Sequence, residues 1–309
     1  MADLCRLADV HFSYGSERVL RGVDLGITRK AVWGMVGDNG SGKSTILKIL
    51  AGILRPDSGC LYAPGGRPRI GYMPENCMWY PDQTGAQILR YFSKYSGADA
   101  CEQKVLLKRV GLWPARDKKV GGYSKGMRQK LGMAQAISGN PNLLILDEPT
   151  NGLDPRSICD FYDILSESVA LGMTVILSSH LLSELDGRIT HVAHLSKGRI
   201  SWNGSCDQLL QRLRLPIRVV FTGINFNLLK EAVNGRWELR ERVGKIEVLV
   251  NETEVAQLLI LLTSRGMDLG RFEVLNPGIE DLYLNNVTDG LVSNDDLRVE
   301  VTNETESYQ

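Results

Sequence analysis

A chain of 309 residues has room for two domains, since one usually takes roughly 100 to 200 residues. Its hydrophobic share of 43% and charged share of 23% exclude a disordered, collagen-like or coiled-coil chain as a whole. Lys+Arg and Asp+Glu both number 36, which leaves no broad cationic field for a nucleic-acid backbone and makes nucleic acid a poor default partner.

The six cysteines stand singly, with no CxxC pair and no metal-ligand spacing, a usage that fits a reducing cytoplasm. The opening residues MADLCRLADVHFSYG lack the basic and then apolar pattern of a secretion signal. No window approaches the roughly 20 apolar residues of a membrane helix, so membrane association is expected only through a partner.

Over residues 4–30 short apolar runs alternate with Gly and charged residues, which predicts antiparallel strands and turns. AVWGMVG predicts a buried strand, followed by a glycine-rich turn and a helix over STILKILAGIL. Helical spacing returns in ILRYFSKY, KVLLKRVGL and RQKLGMAQAI, which places a helical subdomain at 81–140. The runs NLLILD and MTVILSS predict buried strands on either side of a helix near 157–170, and this alternation implies a parallel sheet in an α/β domain. After Cys206 the order becomes strand PIRVVF, helix FNLLKEAVNG, strands WELRERV and KIEVLV, helix EVAQLLILLTSRG and strand LGRFEVLN. That βαββαβ order predicts a small ferredoxin-like α+β domain at 207–287, and the acidic, apolar-poor stretch 288–309 predicts a disordered tail.

Chemistry concentrates in 1–206. The residues Gly37, Asp38, Asn39, Gly40, Ser41, Gly42, Lys43, Ser44 and Thr45 satisfy GxxxxGK[ST] between a predicted strand and a predicted helix. Glycines let backbone N–H groups converge on one anion, the helix dipole adds positive potential, Lys43 reaches the β- and γ-phosphates and Ser44 can ligate Mg²⁺. A plain Gly-rich turn is the competing reading, and the strand–helix context weighs against it. LLILDE ends a predicted strand in two acids, which suits Asp147 for the Mg²⁺ shell and Glu148 for orienting or deprotonating water. His191 and His194 alternate in a strand-like segment with no acid or cysteine cluster nearby, so they read as core or edge residues.

YSKGMRQK over residues 123–130 resembles the LSGGQ signature of ABC ATPases, and the order of Tyr14, GYMPEN, PTNGLD and His180 around it also matches that family. The resemblance covers residues 4–204. It implies an ABC-type P-loop NTPase with an antiparallel β subdomain and a helical subdomain. It further implies that Tyr14 stacks on adenine, Asp154 communicates between cassettes, and His180 contacts the γ-phosphate. Such cassettes work as head-to-tail homodimers, so Ser124 and Gly126 would complete the site of the second copy. Glu75 stands where the family usually has Gln, at a position that touches the metal-bound water, and Lys125 and Met127 also depart from the signature. Within the family, GYMPENCMWYPDQTG, GYSKGMRQKLGMAQAI and the extension from LPIRVV to NPGIEDLYL resemble NosF-type cassettes, the ATPases of the machinery for copper-site maturation of nitrous-oxide reductase. That resemblance implies ATP and Mg²⁺ as cofactors, a NosY-type transmembrane permease, indirectly a periplasmic NosD-type protein, and a location on the cytoplasmic face of the inner membrane. An ATPase for lipid, drug or polysaccharide export fits the same motifs, and a soluble ABC ATPase outside transport is a further alternative.

Overall fold

Two strands, β1 (Asp3–Tyr14) and β2 (Glu17–Thr28), open the chain as an antiparallel hairpin in a computed structural model that describes residues 3–97, 100–180, 182–213, 215–242 and 244–281. Gly15 at φ +59° supplies the left-handed residue of the two-residue turn. The wholly buried β3 (Val32–Val36) follows and runs through the phosphate-loop sequence into α1 (Lys43–Leu50). Strand β4 (Ser58–Tyr62) joins β1, giving a three-stranded antiparallel sheet in the order β2-β1-β4.

Strand β5 (Ile70–Met73) returns to the main sheet, and three helices then form the expected insertion: α2 (Gly85–Ser96), α3 (Ala100–Arg109) and α4 (Lys125–Ile137). Thr84 and Gln87 close α2 with a reciprocal capping box, and the hydroxyl of Ser124 accepts from the Met127 N–H to cap α4. The chain continues through β6 (Leu143–Leu146), α5 (Pro155–Ala170), β7 (Thr174–Ser178), the single-turn α6 (Leu182–Leu185), β8 (His191–Ser196) and β9 (Arg199–Ser205).

The main sheet has the order β5-β6-β7-β3-β8-β9. Every pairing from β5 to β8 is parallel, and β6 and β7 are buried along their whole length, as the continuous apolar runs of a sheet covered on both faces require. The last strand departs from the expected parallel pattern: β9 pairs antiparallel with β8. Its cause is local, because Lys197 and Gly198 at φ +49° and +77° form a tight two-residue hairpin turn. One core, with Leu7, Leu20, Met35, Ile46, Leu47 and Ile145 at its centre, joins the small antiparallel sheet and α1 to the main sheet.

A second compact unit begins at Cys206. It contains α7 (Cys206–Leu213), which the strand-and-helix reading of the sequence did not include. It continues with β10 (Ile217–Thr222), α8 (Phe226–Val233), β11 (Glu238–Arg242), β12 (Lys245–Val250), α9 (Val255–Ser264) and β13 (Arg271–Leu275). The strands are antiparallel in the order β11-β12-β10-β13, the ferredoxin-like arrangement of a βαββαβ chain. Val219 and Phe221 on β10, Val248 on β12, Leu229 on α8, and Leu258 and Leu262 on α9 form its core. The expected tail at 288–309 lies outside the described residues.

Candidate functional site

The C-terminal ends of β3, β6 and β7, three consecutive strands of the sheet, bring the phosphate loop, the acid pair and His180 to one edge, where ligands of open α/β sheets bind. The loop is built by close approach. Gly37 has φ +145°, and a Cβ there would stand 2.1 Å from the Leu195 carbonyl oxygen, so only glycine fits between the loop and β8. Gly42, at φ +110°, is the N-cap of α1 and turns the loop into the helix. Asn39 and Gly40 are exposed at the tip, whereas Ser41 and Thr45 are buried.

Lys43 is 7% exposed, and its Nζ donates to the carbonyl oxygens of Gly37 at 2.6 Å and Asp38 at 3.1 Å. Burial lowers its pKa, opposed by the negative fields of Glu148, Asp147 and Asp38. The Ser41 hydroxyl is buried without a hydrogen-bond partner, so the loop holds an unused polar group beside Gly37.

Across the loop, Ser44 Oγ donates to Asp147 Oδ1 at 2.9 Å, and Ser178 Oγ donates to the same oxygen at 2.8 Å. Ser178 Oγ also accepts from the Glu148 N–H at 2.8 Å. Glu148 has φ +45°, a left-handed conformation that costs a residue with a Cβ on the order of 1–3 kcal/mol and clusters at functional sites. Its carboxylate Oε2 lies 2.7 Å from His180 Nδ1. Ser44, Asp147, Ser178, Glu148 and His180 thus form one connected chain of hydrogen bonds.

The other sequence-derived candidates surround this chain without joining it. Glu75 is exposed, and its Oε1 accepts from Asn151 Nδ2 at 3.4 Å, which links it to the loop after the acids. Asp154 caps α5: its two carboxylate oxygens accept from the Ser157 N–H at 3.0 Å and the Ser157 hydroxyl at 2.8 Å, bonds that lower its pKa. Ser124 and Gly126 sit at the start of α4, where the bond from the Met127 N–H engages the Ser124 hydroxyl. Tyr14, at the end of β1, is 48% exposed and rests edge-on against Phe12 at 4.8 Å. His191 and His194 lie on β8 against Trp33 and Trp202, at ring-centroid distances of 4.7 Å and 5.2 Å.

Comparison with known proteins resolves the family. The "ABC transporter" family model matches residues 20–151, which span the phosphate loop, the signature-like segment and the acid pair. The "Uncharacterized ABC transporter ATP-binding protein YxlF" of Bacillus subtilis is 32% identical over 291 residues, which cover 88% of this chain and 95% of that protein. The chain belongs to the ABC transporter ATP-binding family. The similarity to YxlF is too long to be confined to the cassette, so it extends into the second unit. The "Fluoroquinolones export ATP-binding protein MT2762" of Mycobacterium tuberculosis is 35% identical over 234 residues, 72% of this chain and 77% of that protein. A solved "Structure of ATP binding subunit of ABC transporter" superposes with a TM-score of 0.63 at 28% identity, covering 68% of this chain and 93% of that one. This ABC subunit binds and hydrolyses ATP, and members of its family act as dimers with a transmembrane permease. Among the described residues, no helix of the ABC subunit is long and apolar enough to cross a membrane.

Three residues around the ABC site escaped the reading of its sequence. Ser178 was absorbed into the apolar strand MTVILSS, yet its hydroxyl joins both acids. The available signal was a serine pair where a buried strand would otherwise continue in apolar residues. Thr150 Oγ1 donates to Glu184 Oε2 at 2.7 Å and ties the loop after the acids to α6; no local motif marks that pair.

Proposed function

We propose that this chain is the ATP-hydrolysing subunit of an exporter-type ABC transporter, acting as a head-to-tail pair of copies beneath a separate permease on the cytoplasmic face of the inner membrane. The observation that carries the reading is the hydrogen-bonded chain from Ser44 through Asp147, Ser178 and Glu148 to His180, set opposite Lys43. Loop N–H groups and the start of α1 hold the phosphates, and Lys43 Nζ exchanges its loop carbonyls for β- and γ-phosphate oxygens. The unpartnered Ser41 hydroxyl becomes a further donor.

One lysine does not balance Asp38, Asp147 and Glu148 once a polyphosphate arrives, so the site calls for a cation, and the Ser44 hydroxyl and Asp147 carboxylate are the hard oxygen ligands that Mg²⁺ prefers. Bound there, Mg²⁺ would neutralise charge on the phosphate oxygens. Glu75, which the family resemblance sets beside the metal, would act through bound water. Glu148 takes the proton of the attacking water, while His180 fixes that carboxylate and meets the γ-phosphate. Tyr14 stacks on the adenine. Ser124 and Gly126 of one copy seal the site of the other, and Asp154 reports between the copies.

Permease helices dock on the face around residues 75–95. A cleft there is lined by Glu75, Trp79, Pro81, Val120, Lys125 and Gln129, and Met78, Tyr80, Tyr91 and Tyr95 are exposed around it. For cargo, the MT2762 relative favours a drug-like organic molecule. The narrower NosF-type role, with a NosY-type permease and a NosD-type periplasmic protein serving nitrous-oxide reductase, rests on the segments at 71–85 and 122–137 and on the C-terminal extension. Copper analysis of the reductase matured with and without this chain separates the two. The ATPase reading itself is tested by nucleotide binding and phosphate release from the chain with its permease. Lys43→Ala should abolish both, and wild-type turnover in that variant would defeat the assignment.

A further inference from the structure

Strand β13 forms one edge of the second unit's sheet. Its inner side pairs with β10 from Thr222↔Arg271 to Arg218↔Leu275, and among the described residues no strand pairs its outer side. The two edges of this sheet are built differently. At the opposite edge β11 reads ELRER, a charged composition that discourages further pairing. By contrast β13 reads RFEVL, and Phe272, Val274 and Leu275 are 38%, 42% and 39% exposed. Phe272 lies 5.9 Å from Phe221, so it carries the aromatic row of the core out to the rim. Such an edge is a template for another strand.

The order of charges selects that strand. Consider β13 paired antiparallel with a second β13 about an axis through Phe272 and perpendicular to the sheet. Phe272 then faces the partner's Phe272, Arg271 faces the partner's Glu273, and Glu273 faces the partner's Arg271. Moving the axis to Glu273 sets two carboxylates opposite each other, and moving it to Arg271 sets two guanidinium groups opposite each other, so charge favours the Phe272 register over both of its neighbours. Arg271 and Glu273 are 3.5 Å apart within the chain, with side chains 81% and 48% exposed, so both reach the outer surface.

We propose that β13 is a homotypic docking edge, through which the second units of two copies join into one eight-stranded antiparallel sheet, independently of nucleotide. The proposal goes beyond the ATPase reading and is tested without ATP.

The full nucleotide-free chain is expected to sediment as a monomer–dimer equilibrium at concentrations up to about 0.1 mM. Arg271→Glu alone sets acids opposite acids, and Glu273→Arg alone sets bases opposite bases, so each should weaken dimerisation about tenfold. An equimolar mixture of the two single variants should recover it, because both cross-strand pairs are restored only between unlike chains while the pair within each chain stays broken. Truncation after Asp281 should leave the dimer intact. A wild-type monomer throughout that range, single variants that dimerise normally, a mixture as weak as its components, or loss of the dimer on truncation would each overturn the proposal. An ATP-dependent dimer absent while this one persists would count instead against the cassette reading.

Discussion

His180 Nδ1 and Glu148 Oε2 stand 2.7 Å apart, joining the second residue beyond β7 to the second residue beyond β6. The contact fixes a carboxylate whose backbone is already held in the left-handed region by the Ser178 hydroxyl. Glu148→Gln keeps the shape and the amide contacts but removes the base, so phosphate release should fall roughly 10²–10⁴-fold. ATP affinity should be retained, and size-exclusion chromatography with ATP should show a stable dimer. His180→Ala should lower phosphate release about 10²-fold, as loss of one transition-state donor does, with little change in thermal stability because the ring is exposed.

Ser178 is a positioning residue by the same geometry. Its hydroxyl donates to Asp147 and accepts from the Glu148 N–H in a buried setting. Ser178→Ala leaves that N–H and one carboxylate lone pair unmatched, a loss of about 1–3 kcal/mol in stability. The expected kinetic signature is a lower kcat at an ATP KM within a few-fold of wild type, with partial rescue by Ser178→Thr. Equal losses from Ala and Thr would indicate a packing role alone.

How far the sequence carried depended on whether the chemistry was local. Gly37 to Thr45, the acids at 147 and 148, and the helices at 81–140 are contiguous patterns whose period or spacing states their structure. The βαββαβ order was legible for the same reason, since each element carries its own hydrophobic period. Ser178 and the Thr150–Glu184 pair were not, because their roles arise where separate segments meet in space. Strand β9 was missed because its signal, a Lys197–Gly198 turn, is two residues long. The side chain of Glu75 reaches the loop after the acids through Asn151, a contact that no spacing rule anticipates.

Gly37→Ala should be costly although it adds one methyl group. The added Cβ would meet the Leu195 carbonyl oxygen at 2.1 Å, backbone against backbone, at a φ of +145°. Relief requires moving either the phosphate loop or β8, and strain of this kind costs on the order of 1–3 kcal/mol. Thermal unfolding should show a lowered Tm and titration with ATP a weakened affinity. Gly40→Ala, at the open loop tip, meets no atom within 4 Å and should affect stability less.

Stability at alkaline pH should reflect four weak acids, Cys5 and Tyr162 in the core and Tyr72 and Cys77 half-buried. Burial pushes the thiols of Cys5 and Cys77 from 9.0 to about 11, and burial, reinforced by Asp147 at Tyr72 and by Glu184 at Tyr162, pushes those phenols from 10.0 to about 12. A raised pKa means that the folded state keeps its proton where the unfolded chain has released it. The associated stability is therefore complete below pH 9 and is lost as pH rises through 9 to 12. Denaturant midpoints should fall across that window, at a slope of up to about 1.4 kcal/mol per pH unit for each group in its own interval. Cys77→Ala should flatten the curve between pH 9 and 11. The same burial predicts the order of alkylation at pH 8: Cys60, Cys101 and Cys159 are exposed and react first, whereas Cys5 and Cys77 are shielded and their thiols held protonated by burial.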